Sequence, residues 1–337
     1  MTAMRALVTG ASGFLGSRLA RQLQVHGHEV VVLLRATSDR SRLDGLDTTV
    51  AIGDVTDAAS VRDAVAGVDA VFHAAARYEM GVSDASALES VNVEGSRNVF
   101  RAAAEAGVPV VHVSSVTALG PTGPAQEDET YWSDLPPASE YERTKREAHV
   151  LARQFRADGA DIRIGIPGGV YGPGDTSTLG RLIRLYMRLP MPVVAFRDAV
   201  QSTVHVDDCA DGLLRILEDG PPSGEYLLCA ESVTMREWID AMMRAADKPL
   251  PLVYVPDATV ARLSTYGRML LQAVGGPHDM VREYVDTAVR SWAYSGAKAR
   301  RELGWTPRPL DHGLAQLAGS IGRGPAPAAG SPGSAQH

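Results

Sequence analysis

The stretch near the amino terminus constrains the fold most, because a strand, a glycine-rich turn and a helix follow one another there without a linker. Residues 5–9 read as a buried strand, and residues 14–26 read as a helix. In a dinucleotide fingerprint, one glycine makes the tight turn, one admits a pyrophosphate and one packs the helix closely, and these roles fall on Gly10, Gly13 and Gly16. Two residues separate Gly10 from Gly13, whereas one residue separates the first two glycines of the general fingerprint. A glycine turn without a ligand is the alternative interpretation.

The second predicted strand, residues 29–35, ends in Arg35, where a ribose-binding acid usually stands. An arginine there suits the 2′-phosphate that distinguishes NADP from NAD. Ser38 and Arg40 follow closely and add modest support. The sequence therefore favours NADPH and leaves NAD open, since Arg35 also fits a solvated strand end.

Strand-like and helical runs alternate through the first half of the chain, which predicts an α/β fold with a Rossmann-type, doubly wound parallel sheet. The predicted strands are residues 5–9, 29–35, 49–52, 70–73, 109–114 and 161–166.

The alternation fades after residue 167, which divides the chain into three parts. Residues 1–166 form the predicted dinucleotide-binding domain, with the catalytic residues. Residues 167–320, with helices near 207–218 and 235–246, form mainly a smaller carboxyl-terminal lobe that binds substrate, with some segments returning to the Rossmann core. Residues 321–337 lack apolar bulk and are predicted to be disordered.

Tyr141 and Lys145 stand four residues apart on a predicted helix, so an ammonium lies beside a phenol. One charge at about 4 Å and an effective dielectric of about 20 is worth roughly 4 kcal/mol. That energy would lower the ordinary tyrosine pKa of about 10 by about three units. The pair is suited to general acid–base catalysis, although the spacing alone also arises by chance.

Together these motifs resemble the extended short-chain dehydrogenase/reductase family, over roughly residues 4 to 320. The resemblance rests on the glycine turn, on the Tyr-x-x-x-Lys pair and on three further segments, which are residues 53–57, 72–76 and 91–98.

The resemblance implies a catalytic triad of Ser115, Tyr141 and Lys145. It implies a cofactor site that combines the glycine turn, the ends of the next strands and the loop after the sixth strand, namely Gly10, Ser12, Gly13, Phe14, Leu15, Gly16, Arg35, Asp54, Val55, Ala74, Ala75, Ala76, Tyr141, Lys145, Pro167 and Val170. The candidate substrate contacts are Thr117, Tyr78, Gly169 and Arg181.

Three features have alternative interpretations. Ser115 is favoured as the hydroxyl donor, while Ser114 would satisfy backbone groups at the strand end. Asn92 is weighed equally between catalysis and a structural tie of helix to sheet. The polar loop 124–138 fits either a cover over the active site or a solvated surface.

The substrate class is indicated by a departure from the family pattern. Nucleotide-sugar epimerases and dehydratases of this family usually carry an Arg-Asp pair where this chain has Gln201 and Ser202. The chain is thus more similar to the dihydroflavonol-reductase and 3β-hydroxysteroid-dehydrogenase branch, which implies a reductase or dehydrogenase acting on a ketone, aldehyde or secondary alcohol. A sugar epimerase or dehydratase with bound NAD is the alternative, and a non-catalytic dinucleotide sensor is a remote one.

The net charge of −7 argues against a nucleic-acid surface, so a small-molecule substrate is expected. Cys209 and Cys229 are interpreted as core residues rather than a disulfide. No metal site is expected, because Asp207 or Asp208 reads better as a helix N-cap than as a ligand.

The sequence predicts no membrane span and no signal peptide, hence a cytoplasmic protein. The resemblance also implies a homodimer, which the sequence does not test.

Overall fold

The computed structural model describes residues 3–78, 85–189, 192–195, 197–260, 262 and 290–322 of the 337-residue chain. Its strands are β1 Arg5–Thr9, β2 Glu29–Leu34, β3 Thr48–Ile52, β4 Ala70–His73, β5 Val110–Val113, β6 Ile162–Pro167, β7 Gly169–Tyr171, β8 Val193–Val194, β9 Val200–His205, β10 Glu225–Leu228, β11 Glu231–Thr234 and β12 Val253–Tyr254.

The helices of the described chain are α1 Phe14–Val25, α2 Ala58–Val65, α3 Ala85–Glu89, α4 Gly95–Ala106, α5 Val116–Leu119, α6 Glu140–Ala157, α7 Thr178–Arg188, α8 Val206–Glu218, α9 Met235–Ala245, α10 Ala297–Leu303 and α11 Leu310–Gly322. A 3₁₀ turn spans Ser41–Leu43, and a π-helical turn, Ser90–Glu94, joins α3 to α4.

The main sheet has seven parallel strands in the order β10-β6-β5-β4-β1-β2-β3. The chain winds outward from β1 to β3 and then crosses to β4 on the other side of β1. Helices cover both faces, so the strands other than the exposed edge strand β3 are short runs that are mostly buried on both sides. The reversal opens a crevice between the carboxyl ends of β1 and β4, where ligands of such sheets bind.

The predicted doubly wound parallel sheet is confirmed, and all six predicted strands are present within two residues of their expected ends. The seventh strand, β10, was not predicted. It has only four residues and begins with Glu225, and the sequence pattern does not distinguish it from a lobe segment.

Helix α8 corrects one detail of the predicted lobe. Residues near 207–218 were expected in the smaller lobe, but α8 packs against α1 beneath the main sheet, where Ala210 and Leu213 join the core around Leu19 and Leu23. The reason is the chain path, since α8 is the crossover that leads from the lobe back to β10 in the main sheet.

The smaller lobe is built from the sheets β11-β9-β7 and β12-β8 together with α7, α9 and α11. Its separate core contains Tyr171, Trp238, Met242 and Leu314. The boundary between residues 166 and 167 stays a prediction. The predicted disordered tail begins with residues 321–322, which instead end α11, and residues 323–337 lie outside the described residues.

The start of α8 also differs from expectation. The N-cap is His205, whose Nδ1 accepts the Asp207 backbone N–H at 3.3 Å, rather than either aspartate. Asp208 instead accepts two hydrogen bonds from the Arg308 guanidinium Nε at 3.1 and 2.9 Å. The reason is tertiary, because Arg308 arrives from a segment 100 residues further along the chain.

Candidate active site and sheet-edge groove

A groove of about 510 Å³ follows the carboxyl ends of β1 to β4, and we call it the sheet-edge groove. It is lined by Gly10, Ser12, Gly13, Leu33, Arg35, Ser38, Gly53, Asp54, Val55, Ala74, Ala75, Ala76, Arg77 and Val91. Most of the residues predicted to bind a cofactor through the first four strands lie in this lining. The structure therefore brings together residues that are up to 81 positions apart in the sequence.

The glycine turn fits a dinucleotide for a steric reason. Gly10 has φ +72°, and a Cβ there would lie 2.6 Å from the Ala75 backbone nitrogen. Gly13 caps α1 with an extended backbone and brings no side chain over the helix amides. A phosphate can approach those amides closely, as in other helix-terminal anion sites. Phe14, Leu15 and Gly16 form the first turn of the same helix.

The far end of the sheet-edge groove holds the predicted adenosine contacts. Arg35 and Ser38 follow β2 and line the groove together. Asp54 follows β3, and its Oδ1 accepts the backbone N–H and the hydroxyl of Thr56, each at 3.0 Å. These bonds hold the Asp54 carboxylate in place at the groove edge.

The three predicted catalytic residues meet where α6 lies against the end of β5. Ser115 caps α5, accepting the Thr117 backbone N–H at 3.2 Å, and its hydroxyl lies next to the Tyr141 phenol. Lys145 is buried, and its Nζ donates to the Val113 carbonyl oxygen at 2.9 Å. The phenol and the ammonium therefore both contact the segment from Val113 to Ser115, at the end of β5.

The pKa of Tyr141 contradicts the expectation drawn from its spacing to Lys145. Burial and the neighbouring Tyr78 phenol raise this pKa above its ordinary value of 10.0, while the adjacent Ser115 hydroxyl lowers it by a smaller amount. Burial also lowers the pKa of Lys145 to about 8. The spacing argument neglected burial, which disfavours the charged form of both groups.

The contacts of Ser114 and Asn92 bear on the two open alternatives for polar residues near this site. Ser114 Oγ lies 2.8 Å from His149 Nδ1 and is buried, so it is committed to the protein interior. Asn92 accepts the Arg77 backbone N–H at 2.7 Å, and it donates to the Arg77 carbonyl and to Thr144 Oγ1. It ties the loop after β4 to α6, which is a structural role.

The remaining predicted contacts lie in the loop after β4, in α5, at the end of β6 and in β7. The Tyr78 ring packs edge-on against Tyr141, with centroids 4.8 Å apart. Thr117 Oγ1 is buried and has no hydrogen-bond partner among the described residues. Pro167 ends β6, whereas Gly169 and Val170 lie in β7.

Arg181 lies on α7 in the smaller lobe, where its Nη1 donates to the Thr176 carbonyl at 3.4 Å. Arg184 on the same helix donates to the Asp175 carbonyl. These contacts bind the start of α7 to the loop before it. The role of Arg181 in substrate binding stays a prediction.

Arg146 is a structural residue that sequence reasoning missed. Its guanidinium donates to four backbone carbonyls at 3.1 to 3.3 Å, which are those of Ala118, Leu119, Ser133 and Leu135. It thereby holds the carboxyl end of α5, the short helix that Ser115 caps. The only available signal was its position beside Lys145, which did not distinguish it from a solvated arginine.

The loop 124–138 is fixed by hydrogen bonds to segments that are distant in the sequence. The Glu127 backbone N–H donates to the Ala293 carbonyl at 2.9 Å, and Glu129 Oε1 accepts the Leu227 N–H at 2.9 Å. Neither earlier alternative included this contact, because residues 291–295 lie far away in the sequence.

Gln201 and Ser202, which replace the Arg-Asp pair, are occupied within the lobe. Gln201 Nε2 donates to the Arg290 carbonyl at 3.3 Å, and Ser202 Oγ donates to the Trp292 carbonyl at 2.7 Å. Both side chains hold strand β9 against residues 290–292. They are consequently committed to the fold.

Metal-binding clusters and membrane-spanning helices are both absent from the described ranges. These ranges contain no group of three or more histidine, cysteine, aspartate or glutamate side chains placed to hold a metal ion. They also contain no helix that combines the length and apolar character needed to cross a membrane. Cys209 and Cys229 are both buried.

Comparison with known proteins agrees with this geometry. The sequence model of the NAD dependent epimerase/dehydratase family matches residues 6–229. The chain is 35% identical over 262 residues to sterol demethylase protein B of Methylococcus capsulatus, covering 75% of this chain and 78% of that protein. It is 29% identical to a putative dihydroflavonol 4-reductase of Synechocystis sp., covering 91% and 92% of the two chains.

A solved structure titled as that of gox2253 superposes with a TM-score of 0.83 at 31% identity. The match covers 94% of this chain and 97% of that one, so the main sheet and the smaller lobe are both included.

Proposed function

Because this chain belongs to the NAD dependent epimerase/dehydratase family and is an NAD(P)-dependent oxidoreductase, we propose that it is an NADPH-dependent carbonyl reductase. Its substrate would be a small-molecule ketone or aldehyde, or the secondary alcohol in the reverse direction. The observation that carries the proposal is the Tyr141 phenol beside the Ser115 hydroxyl and buried Lys145, at the carboxyl edge of the sheet.

The proton chemistry follows from the state of the Tyr141 phenol. A raised pKa keeps this group protonated at neutral pH, so it can donate a proton to an alkoxide that develops from a carbonyl. Ser115 supplies a second hydroxyl that orients the same oxygen. Lys145, with a pKa of about 8, is mostly charged at pH 7 and stabilises negative charge on the phenol or the substrate oxygen.

NADPH bound in the sheet-edge groove would supply the hydride. Gly10 and Gly13 would face its pyrophosphate, and Asp54 its adenine. Arg35 and Ser38 would bind the 2′-phosphate, which supports NADPH over NADH, because a bidentate guanidinium matches a phosphate. Tyr141 and Lys145 would stand at the nicotinamide end.

The substrate class rests on two points. Gln201 and Ser202 bond within the lobe, so this position offers no cation to a sugar diphosphate. Two relatives carry names that refer to a sterol and to dihydroflavonol, both polycyclic compounds. These observations support a polycyclic carbonyl compound rather than a nucleotide sugar.

The first test is the absorbance of NADPH or NADH at 340 nm with a panel of steroid, flavonoid, aromatic and aliphatic carbonyls. We expect NADPH consumption with at least one polycyclic carbonyl. If no compound is reduced and the purified protein retains NAD, the assignment passes to an epimerase or dehydratase, which shows no net cofactor turnover.

The variant Tyr141→Phe tests the proton donor separately. It removes the phenolic hydroxyl and keeps the ring that packs against Tyr78. We expect turnover to fall by about 10³-fold or more, since general acid catalysis contributes about 10²- to 10⁴-fold. NADPH binding, followed by fluorescence titration, should remain. Full activity in this variant would refute the proposed mechanism.

A further inference from the structure

Helix α6 contacts the end of β5 through a third residue besides Tyr141 and Lys145. Tyr141, Lys145 and His149 stand at four-residue intervals and therefore on one helix face. Their partners are the Ser115 hydroxyl, the Val113 carbonyl and the Ser114 hydroxyl, respectively. The third contact, at His149, has no role in the proton transfer described above.

His149 also connects this helix to strand β10. Its Nδ1 lies 2.8 Å from Ser114 Oγ, and its Nε2 lies 3.0 Å from Glu225 Oε1. Glu225 is held in turn by Arg153 at 2.6 Å and Arg156 at 3.1 Å. The result is a continuous chain of contacts from surface arginines to the residue between the two β5 anchors of the active site.

The chain of contacts has a defined direction. Burial lowers the pKa of His149, an effect that Glu225 opposes without cancelling, so the imidazole is neutral at pH 7. For Glu225, burial alone would raise the pKa, but the neighbouring His149 ring and the hydrogen-bonded Arg153 guanidinium hold it at about 2. Nε2 lies beside the Glu225 carboxylate without an aligned hydrogen bond. This negative charge favours the tautomer with the proton on Nε2, in which Nδ1 accepts from the Ser114 hydroxyl.

A serine, a histidine and a carboxylate in series also resemble a hydrolytic triad, but burial excludes that function. Ser114 is 3% exposed and His149 is 0% exposed, so the hydroxyl does not reach a substrate. Its backbone N–H is further tied to the Gly165 carbonyl at 2.8 Å. The arrangement is suited to fixing a position.

We propose that His149, oriented by Glu225, is a positioning residue that sets the register of α6 on the end of β5 and so the alignment of Tyr141 with Ser115. This inference rests on the proposed function, because its kinetic consequence is the rate of proton transfer. Displacement of a reacting group by about 1 Å can cost about 10²-fold in rate.

The kinetic test compares His149→Phe, Ser114→Ala and the double variant with His112→Phe. His112 is a matched control, because it is also a buried histidine, yet neither ring nitrogen has a hydrogen-bond partner among the described residues. We expect His149→Phe to lower kcat by about 30- to 100-fold with an unchanged KM for NADPH. The double variant should be no slower than the slower single variant, because both substitutions remove the same Ser114–His149 contact.

Two further results separate positioning from misfolding. His149→Asn keeps an acceptor for Ser114 and should recover part of the lost kcat, while circular dichroism confirms folding of each variant. His112→Phe should keep the wild-type kcat. Wild-type kcat in His149→Phe, or losses that multiply in the double variant, would overturn the proposal.

A tautomer measurement tests the inference without turnover. In ¹⁵N NMR of the wild-type protein, we expect His149 to carry hydrogen on Nε2 alone. In Glu225→Gln, we expect a second tautomer to appear. A wild-type Nδ1–H form would overturn the positioning chain even if carbonyl reduction is established. Conversely, a wild-type protein that reduces no carbonyl but shows the Nε2–H form would refute only the proposed function.

Discussion

Two effects act on the protons of Tyr141 and Lys145, and burial is the stronger. The ammonium favours a phenolate by Coulomb attraction, but Tyr141 is half-buried, Lys145 is buried and the ammonium bonds to the Val113 carbonyl. Burial penalises the charged form of each group, raising one pKa and lowering the other. A protonated phenol beside a cation is the state that reduction of a carbonyl requires.

The pH dependence of the rate should therefore follow Lys145. Its pKa of about 8 means that the ammonium is present below that pH and is lost above it. We expect kcat/KM for carbonyl reduction to be level from about pH 6 to 7.5 and to fall up to tenfold per pH unit above about 8. Stopped-flow rates across this range check it. A rate that keeps increasing to about pH 9.5 would contradict a role for the charged lysine.

Arg35 should determine which dinucleotide binds. Its loss in Arg35→Ala removes charge-assisted hydrogen bonds, worth about 1.5–3 kcal/mol, so KM for NADPH should increase about 10- to 100-fold. KM for NADH should stay within about twofold. Arg40→Ala is the matched control, because Arg40 stands outside the lining of the sheet-edge groove. If Arg35→Ala increased KM for NADPH and for NADH by the same factor, Arg35 would not be the source of an NADPH preference.

At the scale of elements, α6 positions the site because its start and one face are both fixed. Ser139 caps the helix by accepting the Glu142 N–H at 3.1 Å, and Glu142 accepts the Ala138 N–H at 2.8 Å. Tyr141 stands in this first turn. Fraying of the turn would thus move the phenol before it unfolded the helix.

The cap of α6 should matter more for catalysis than a comparable cap elsewhere. Ser139→Ala and Thr234→Ala each remove an N-cap, the latter from α9 in the smaller lobe, and each should cost about 1 kcal/mol of unfolding free energy. Only Ser139→Ala should lower kcat, by about fivefold to tenfold, because its turn carries Tyr141. Urea titration and steady-state kinetics measure both effects. Equal kcat in the two variants would show that the first turn does not position the phenol.

At the scale of the whole molecule, three buried histidines lie near the sheet centre. Burial, followed by the charge of Lys145, lowers the pKa of His73 from 6.5 to about 3. The pKa values of His112 and His149 are lowered for the same main reason. The folded protein keeps these rings neutral where the unfolded chain would protonate them.

Stability should consequently decrease in mild acid. Between pH 6.5 and about 3 the unfolded state binds protons that the folded state does not, so the unfolding free energy falls as pH falls. Each fully buried histidine contributes up to about 1.4 kcal/mol per pH unit. We expect His112→Phe to reduce the slope between about pH 6 and 5 by about that amount, measured by urea unfolding. An unchanged slope would mean that His112 is protonated in the fold.

The sequence predicted the parallel sheet because each strand is an apolar run bounded by turns, and this pattern is local. It predicted the glycine turn and the Tyr141–Lys145 pair for the same reason, since their geometry depends on spacing along one strand–turn–helix or one helix. Homodimerisation and cytoplasmic location stay predictions.

Other features depended on residues that are distant in the sequence. Arg308 binds Asp208, one of the two aspartates expected to cap α8. Residues 291–295 form backbone hydrogen bonds with the loop 124–138. Strand β10, which follows most of the lobe's strands in the sequence, pairs with β6 in the main sheet. Burial raises the pKa of Tyr141, opposite to the direction expected from the sequence, and this burial likewise exists only in the folded chain. The sequence alone determined the local elements and the chemical groups they carry, because both depend on near neighbours. The tertiary structure decided their partners and proton affinities, because solvent exclusion and long-range contacts exist only in the folded chain.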